Sequence, residues 1–391
     1  MACAEINGDA TIATIVPTDV AGLRTALIAQ REYTLALYAD LPPRYWEPRT
    51  FPFNDLTNPP LWELAHIAWF QELFALRWRT DDVRGERISS CLNVADGLFD
   101  SSRVAHATRW HLAYPSKSDC FTYMQRVLEN TLEALEKSSD EDRYGFQIAL
   151  VHEDMHAEAL AMTLTTLGLA QPDVTPKRAT LSPKYRLFNE IACAGGSAAI
   201  GARRNAFSFD NEKPAHVAEL APFNIDAHVV SATQFAAFVA SSAYRDQRYW
   251  SARGNDWRDR ATLENRRIAD AGEADEFAAM HVNYFEAEAY CRWKNRRLPT
   301  EAEWEHVAMS SDEFFASTGH VWEWTASIFL PYPGFQAERY REYSEPWFQS
   351  HQVLKGGSFV THPRLKYPQY RNFYTPERSD MFCGFRTCAL A

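Results

Sequence analysis

Apolar residues recur at helical spacing through the first part of the chain, and that spacing predicts four helices. Leu23, Leu27, Ile28, Leu35 and Tyr38 share one face of a first helix, which Thr18 or Asp19 can cap and which the Pro42, Pro43 pair ends. Asn58 followed by Pro59 reads as the cap and first-turn proline of a second helix carrying Trp62, His66, Trp69, Phe70 and Phe74. A loop holding Gly85 and Gly97 leads to two more helices, Ser118 to about Lys137 and Asp142 to about Leu167, the last stopped by Gly168. Four apolar stripes bury one another best as an antiparallel bundle, expected over residues 1–170.

From Gln171 the pattern changes. Pro172, Pro176 and Pro183 mark a linker over 171–185, and residues 186–391 show short strand-like runs, many turn residues and one clear helix near Phe285 to Arg296. This half lacks the strand–helix–strand rhythm of a parallel sheet. The expected class is α+β: a four-helix bundle followed by an irregular, β-rich domain.

Composition narrows the function. A chain of 391 residues exceeds one ordinary hydrophobic core, in line with two domains. A formal charge of -11 without a basic run argues against nucleic acid or an anionic membrane as partner, leaving small-molecule chemistry. Met1 to Val16 lacks the basic and apolar regions of a secretion signal, and no run of about 18 apolar residues occurs, so a cytoplasmic location is expected. Seven scattered cysteines without a C-x-x-C pair fit reduced thiols. Twelve tryptophans could line a pocket for a cationic ligand, although ordinary packing accounts for most such residues.

The sharpest local signal is His152-Glu153-Asp154-Met155-His156 on the fourth helix. Two histidines four apart lie one above the other, so both imidazoles can reach a single ion. The same pentapeptide satisfies H-E-x-x-H, so a zinc hydrolase stays open. His66, the histidine of the first two helices, is the candidate third ligand, against the plainer reading of a satisfied core histidine. Three imidazoles suit iron, zinc or copper alike and leave positions free on the metal. Glu158 falls elsewhere on the helix, as a supporting or surface residue.

Trp62-Glu63-Leu64-Ala65-His66, followed by the H-x-x-x-H-x-E of His152 to Glu158, resembles the DinB-type bundle of the iron(II)-dependent sulfoxide synthases of ergothioneine biosynthesis. The second half resembles their formylglycine-generating-enzyme-like, C-type-lectin-related domain. It does so through Arg297-Leu298-Pro299-Thr300-Glu301-Ala302-Glu303-Trp304-Glu305, Gly319-His320-Val321-Trp322-Glu323-Trp324-Thr325, Lys355-Gly356-Gly357-Ser358-Phe359 and Gly384-Phe385-Arg386. The resemblance spans nearly the whole chain. It implies Fe(II) on His66, His152 and His156, with O₂, a chalcogen donor and the trimethylated histidine hercynine as small-molecule substrates. Asn372 and Phe373, in Tyr370-Arg371-Asn372-Phe373, are the implied hercynine contacts, and Met155 replaces a polar residue common in the family. A tyrosine beside the iron is the implied proton or electron donor, for which Tyr332 and Tyr374 are the candidates.

Two departures bear on the donor. Family members that take γ-glutamylcysteine carry an Arg-x-x-Arg where this chain has Arg103-Val104-Ala105-His106, and an Asp where it has Tyr374, although Arg378 is kept. Neither imidazole nor phenol replaces a bidentate arginine–carboxylate pair. With the segment Asn58 to Glu72, these changes most resemble the selenoneine-synthase branch, which implies a selenosugar donor. Cysteine- or γ-glutamylcysteine-dependent sulfoxide synthesis, a zinc-dependent hydrolase or thiol transferase and a non-catalytic binding module are the other readings.

Overall fold

The computed structural model describes residues 16–78, 88–181, 190–202, 207–260 and 277–390. Gly85, Pro183 and the Met1 to Ile15 part of the leader reading lie outside them. The chain divides into two compact units. The first, the bundle unit, extends to Pro176 and also includes Glu338–Glu342; the second, the mixed unit, takes Lys177–Ala337 and Tyr343–Ala391.

In the bundle unit the long helices are α1 (Val20–Ala39), α2 (Pro60–Glu72), α4 (Lys117–Glu136) and α5 (Arg143–Thr166), with a single-turn α3 at Ala95–Leu98. Asp19 caps α1 by accepting from the Gly22 backbone N–H, and Ser116 with Asp119 forms a capping box on α4. Gly168 adopts φ 69° just past α5, the left-handed stop expected of it. Leu23 and Leu27 of α1, Leu128 and Leu135 of α4, and Phe146 and Leu150 of α5 form one apolar cluster. All thirteen residues of α2 are buried, as befits a helix apolar on every side, so α2 is the bundle's inner helix.

Two local features depart from the sequence expectation. Pro59 occupies the cap position of α2 with Pro60 behind it, and the Asn58 side chain makes no cap bond there. Beyond Glu72 the helix widens into a π turn, Leu73–Arg77, pinned where Arg77 clamps Asp96 at 2.9 and 2.7 Å. Gly145 of α5 makes room for this turn, since a Cβ there would sit 2.4 Å from the Phe74 carbonyl oxygen.

The mixed unit holds β1 (Glu190–Cys193), β2 (Gly196–Ile200), β3 (His216–Leu220), β4 (Phe223–Asp226), β5 (Arg296–Arg297), β6 (Trp322–Ile328), β7 (Gln352–Lys355), β8 (Asn372–Tyr374), β9 (Cys383–Gly384) and β10 (Cys388–Ala389). They form sheets β1-β4-β10-β5, β2-β3 and β8-β7-β6-β9, antiparallel throughout except for β6 with β9. Tyr284–Trp293 is the expected helix; Ala232–Ala240, Ala252–Arg260, Glu301–Ser310 and Asp312–Ala316 are further helices that the sequence pattern did not show, that at Glu301–Ser310 capped by Thr300 with Glu303. The charged residues of the sequence signatures pair with one another: Glu305 with Lys355 at 3.0 Å, Glu323 with Arg386, and Glu323 also accepting from Trp304 Nε1 at 2.7 Å. All five side chains are buried, which explains why these short strands carry such particular polar residues.

Candidate metal centre

His66 projects from α2, and His152 and His156 from α5. One ring nitrogen of each lies within 4.8 Å of the others. His66 and His152 are 4 % and 2 % exposed, and His156 is partly open. His66 Nδ1 hydrogen-bonds the Phe99 carbonyl at 2.7 Å and His156 Nδ1 the Glu63 carboxylate at 2.5 Å. Both contacts leave Nε2 as the inward nitrogen, and His152 and His156 bring these atoms 3.2 Å apart. Burial, then the neighbouring His156, pushes the His66 imidazole down to about 3, and the same causes hold His152 well below its ordinary value. Neutral rings with Nε2 directed together are what a cation requires of histidine, and carbonyl and carboxylate partners on Nδ1 are the usual support for such ligands. The donor set fits iron, as it also fits zinc or copper.

Glu153 decides between two chemistries. Its carboxylate is clamped by Arg31, Nε at 2.8 Å and Nη2 at 3.1 Å, with both side chains 3 % exposed. Arg31 further bonds the Gln71 side chain at 2.6 Å and the Met124 carbonyl at 2.9 Å. A zinc-protease glutamate has to take a proton from water at the metal, and both oxygens of Glu153 are committed to a buried guanidinium instead. The H-E-x-x-H match is therefore a packing feature.

Aromatic rings wall the site. Phe70 stacks on His152 at 3.5 Å and 4°, and Trp62 on His66 at 4.7 Å and 8°. Tyr340 stands edge-on to His152, with centroids 6.0 Å apart, and contacts Phe70 and Phe74 at 4.7 and 5.5 Å. Burial, followed by Glu342, raises its phenol, which is protonated at neutral pH. No local sequence pattern marks Tyr340 among 17 tyrosines. It reaches the bundle because Glu338–Glu342 belongs to that unit, where Glu338 also accepts from the Tyr144 hydroxyl at 3.1 Å.

The remaining candidates divide between the two units. Met155 is half-buried between the two helical histidines, and Glu158 is buried. Arg103 is largely exposed and lies 3.4 Å from Asp100, while His106 bonds the Thr57 carbonyl at 2.8 Å. In the mixed unit, the Asn372 side chain accepts from the Phe373 backbone N–H at 2.9 Å, and Phe373 stacks on Phe329 at 4.0 Å. Tyr332 is buried beneath Arg371 at 4.0 Å and beside His216 at 4.4 Å, with its hydroxyl toward Glu301. Tyr374 lies under Arg378 at 4.5 Å, and Arg378 is itself clamped by Asp380 at 2.9 and 2.6 Å. Among the described cysteines only Cys91 is exposed, and none is in a disulfide. No described helix is long and apolar enough to cross a membrane.

Residues 26–164 match the DinB superfamily, and residues 177–317 and 310–390 match the sulfatase-modifying factor enzyme 1-like domain. These two matches define the class: a histidine-bearing helical bundle followed by a sulfatase-modifying-factor-like domain. Hercynine oxygenase of Mycolicibacterium smegmatis is 30% identical over 404 aligned residues, covering 85% of this chain and 91% of that protein. The Mycobacterium tuberculosis hercynine oxygenase is 29% identical with the same coverage. Ergothioneine biosynthesis protein 1 of Schizosaccharomyces pombe is 25% identical over 85% of this chain and 52% of its own length. The chain belongs to the hercynine oxygenase family.

Proposed function

We propose that this enzyme uses Fe(II) and O₂ to join a chalcogen atom to C2 of the hercynine imidazole. The observation that carries the reading is the meeting of three imidazoles whose only adjacent H-E-x-x-H carboxylate is locked away in an ion pair. When bound by His66, His152 and His156, iron supplies the activation of O₂ needed for an oxidative carbon–chalcogen bond. Glu63 and Phe99 hold two of the rings by their outer nitrogens, so the ligands need little rearrangement to receive the ion. Phe70 and Trp62 exclude water from the ligand faces. Tyr340 takes the place of Tyr332 and Tyr374 as proposed proton donor, because its ring stands against His152 and its phenol keeps its proton until the reaction calls for it. Asn372 and Phe373 stay the proposed hercynine contacts, with Met155 beside the ligands.

The relatives' names support sulfur chemistry of the ergothioneine type. One observation favours a second reading of the donor, a selenosugar. Arg378 and Arg103 each already face a carboxylate, Asp380 and Asp100, so neither offers an unpaired cation to the two carboxylates of γ-glutamylcysteine. A polyhydroxylated donor needs hydroxyl partners rather than paired charges. Supplying the iron-loaded enzyme with hercynine, O₂ and, in turn, a selenosugar, its thiosugar analogue, cysteine and γ-glutamylcysteine separates these readings by product mass. An adduct with the selenosugar alone supports the second reading; an adduct with cysteine or γ-glutamylcysteine returns the enzyme to ergothioneine-type synthesis; no adduct with any donor refutes both.

A further inference from the structure

Arg109 is a buried guanidinium with no carboxylate among its hydrogen-bond partners. Its Nη1 donates to Asn58 Oδ1 at 2.7 Å and its Nη2 to the Val104 carbonyl at 3.2 Å. Guanidinium has no acceptor, so this contact fixes which end of the Asn58 amide faces it: the oxygen points to Arg109 and the NH₂ is left for Glu63, to which Asn58 hydrogen-bonds. Glu63 in turn receives His156 Nδ1 at 2.5 Å. Four residues thus form one chain, from a fixed cation through an oriented amide and a carboxylate to a candidate metal ligand. The same guanidinium lies 3.8 Å over the Trp62 ring, whose other stacking partner is His66.

We infer that Arg109 is a positioning residue which, through Asn58 and Glu63, fixes the tautomer of His156 and makes it the strongest donor of the three imidazoles. The grading follows from the Nδ1 partners. A carboxylate draws the proton of His156 and enriches Nε2, a carbonyl does so less for His66, and His152 Nδ1 has no partner. This use of Asn58 also explains why an asparagine ahead of two prolines makes no helix cap. The metal would be held unequally, with its firmest bond to His156 and its weakest to His152.

The inference rests on the metal reading above, and its test reads binding rather than turnover. Cobalt(II) uptake, followed by ligand-field absorption and by competition with a chelator, is compared for wild type, Glu63→Gln, Asn58→Leu, Arg109→Gln and the double variant Glu63→Gln/Arg109→Gln. Glu63→Gln is expected to weaken binding about 10- to 100-fold and move the absorption bands, as loss of an outer partner does. Asn58→Leu and Arg109→Gln should each move the same bands in the same direction, with losses of about 3- to 10-fold, smaller than the direct contact gives. Because the effect passes through Glu63, the double variant should lie within about threefold of Glu63→Gln alone. Wild-type affinity and spectrum in Asn58→Leu and Arg109→Gln would overturn the inference, as would fully multiplicative losses in the double variant. If Arg109→Gln fails to fold, Asn58→Leu carries the test. Wild-type protein that takes up no cation would overturn the metal reading itself.

Discussion

Replacing Glu153 by glutamine distinguishes a structural carboxylate from a catalytic one. The substitution preserves shape but removes the charge facing Arg31, a guanidinium 3 % exposed whose Nε and Nη2 both point at this carboxylate. Removing one partner of a buried ion pair costs about 3–5 kcal/mol, and because glutamine keeps one acceptor and Gln71 and Met124 still hold two donors, the lower end applies. For a unit of this size, about 3 kcal/mol lowers Tm by roughly 6–12 °C. Calorimetry of the metal-free protein reads that loss, and turnover per bound metal ion reads the chemistry. The geometry predicts a large drop in Tm with turnover per metal within about threefold of wild type. General bases contribute about 10²- to 10⁴-fold, so an unchanged Tm with turnover reduced a hundredfold or more would refute the structural assignment and restore the hydrolase reading of the pentapeptide. A compensating variant, Arg31→Met with Glu153→Leu, should recover much of the lost stability, since apolar replacements of buried pairs are often neutral.

Tyr340→Phe keeps the ring against His152 and Phe70 but loses the hydroxyl, so metal affinity should hold while product analysis shows diverted oxidation; unchanged product and rate would remove Tyr340 from the chemistry. In the mixed unit, burial pushes the Glu212 carboxyl up to about 8 even though Tyr367 donates to both its oxygens. The native state therefore holds a proton that the unfolded chain has released above about 4.3, and stability should fall as pH rises from there to about 8, by up to about 5 kcal/mol. Unfolding midpoints across that range should slope downward in wild type and be flatter in Glu212→Gln; equal slopes would contradict the assignment. Gly145→Ala places a methyl 2.4 Å from a backbone oxygen of the π turn, and a loss of about 1–3 kcal/mol by denaturant unfolding is expected, with no loss ruling out the close approach.

The bundle was legible because its helices announce themselves in three independent ways: apolar stripes, a cap at Asp19, and a glycine stop at Gly168. Its candidate ligands were legible for the same reason, since a helix converts the spacing of His152 and His156 into proximity. Asn58 misled because its local context, ahead of prolines, suits a cap, whereas its partners Glu63 and Arg109 come from the first turn of α2 and from the short 3₁₀ helix His106–Trp110, Arg109 being 51 positions away. Tyr340 was hidden for a related reason: a five-residue segment far along the chain belongs to the bundle unit, and nothing periodic records that. In the mixed unit, strands of two to seven residues are too short for alternation to show. What could be read there were the polar signatures, and the pairs Glu305–Lys355 and Glu323–Arg386 show why those residues keep company.

The central claim is that three histidines support oxidative chemistry at hercynine. Its most direct test is to load the purified protein anaerobically with Fe(II), add hercynine and a thiol or selenol donor, and follow O₂ uptake with product mass in wild type and His152→Ala. The account predicts a C2-linked hercynine adduct formed only when O₂ is admitted, and its loss with metal binding in the variant. An adduct or a hydrolysis product formed without O₂, with zinc alone, or undiminished in His152→Ala would contradict it.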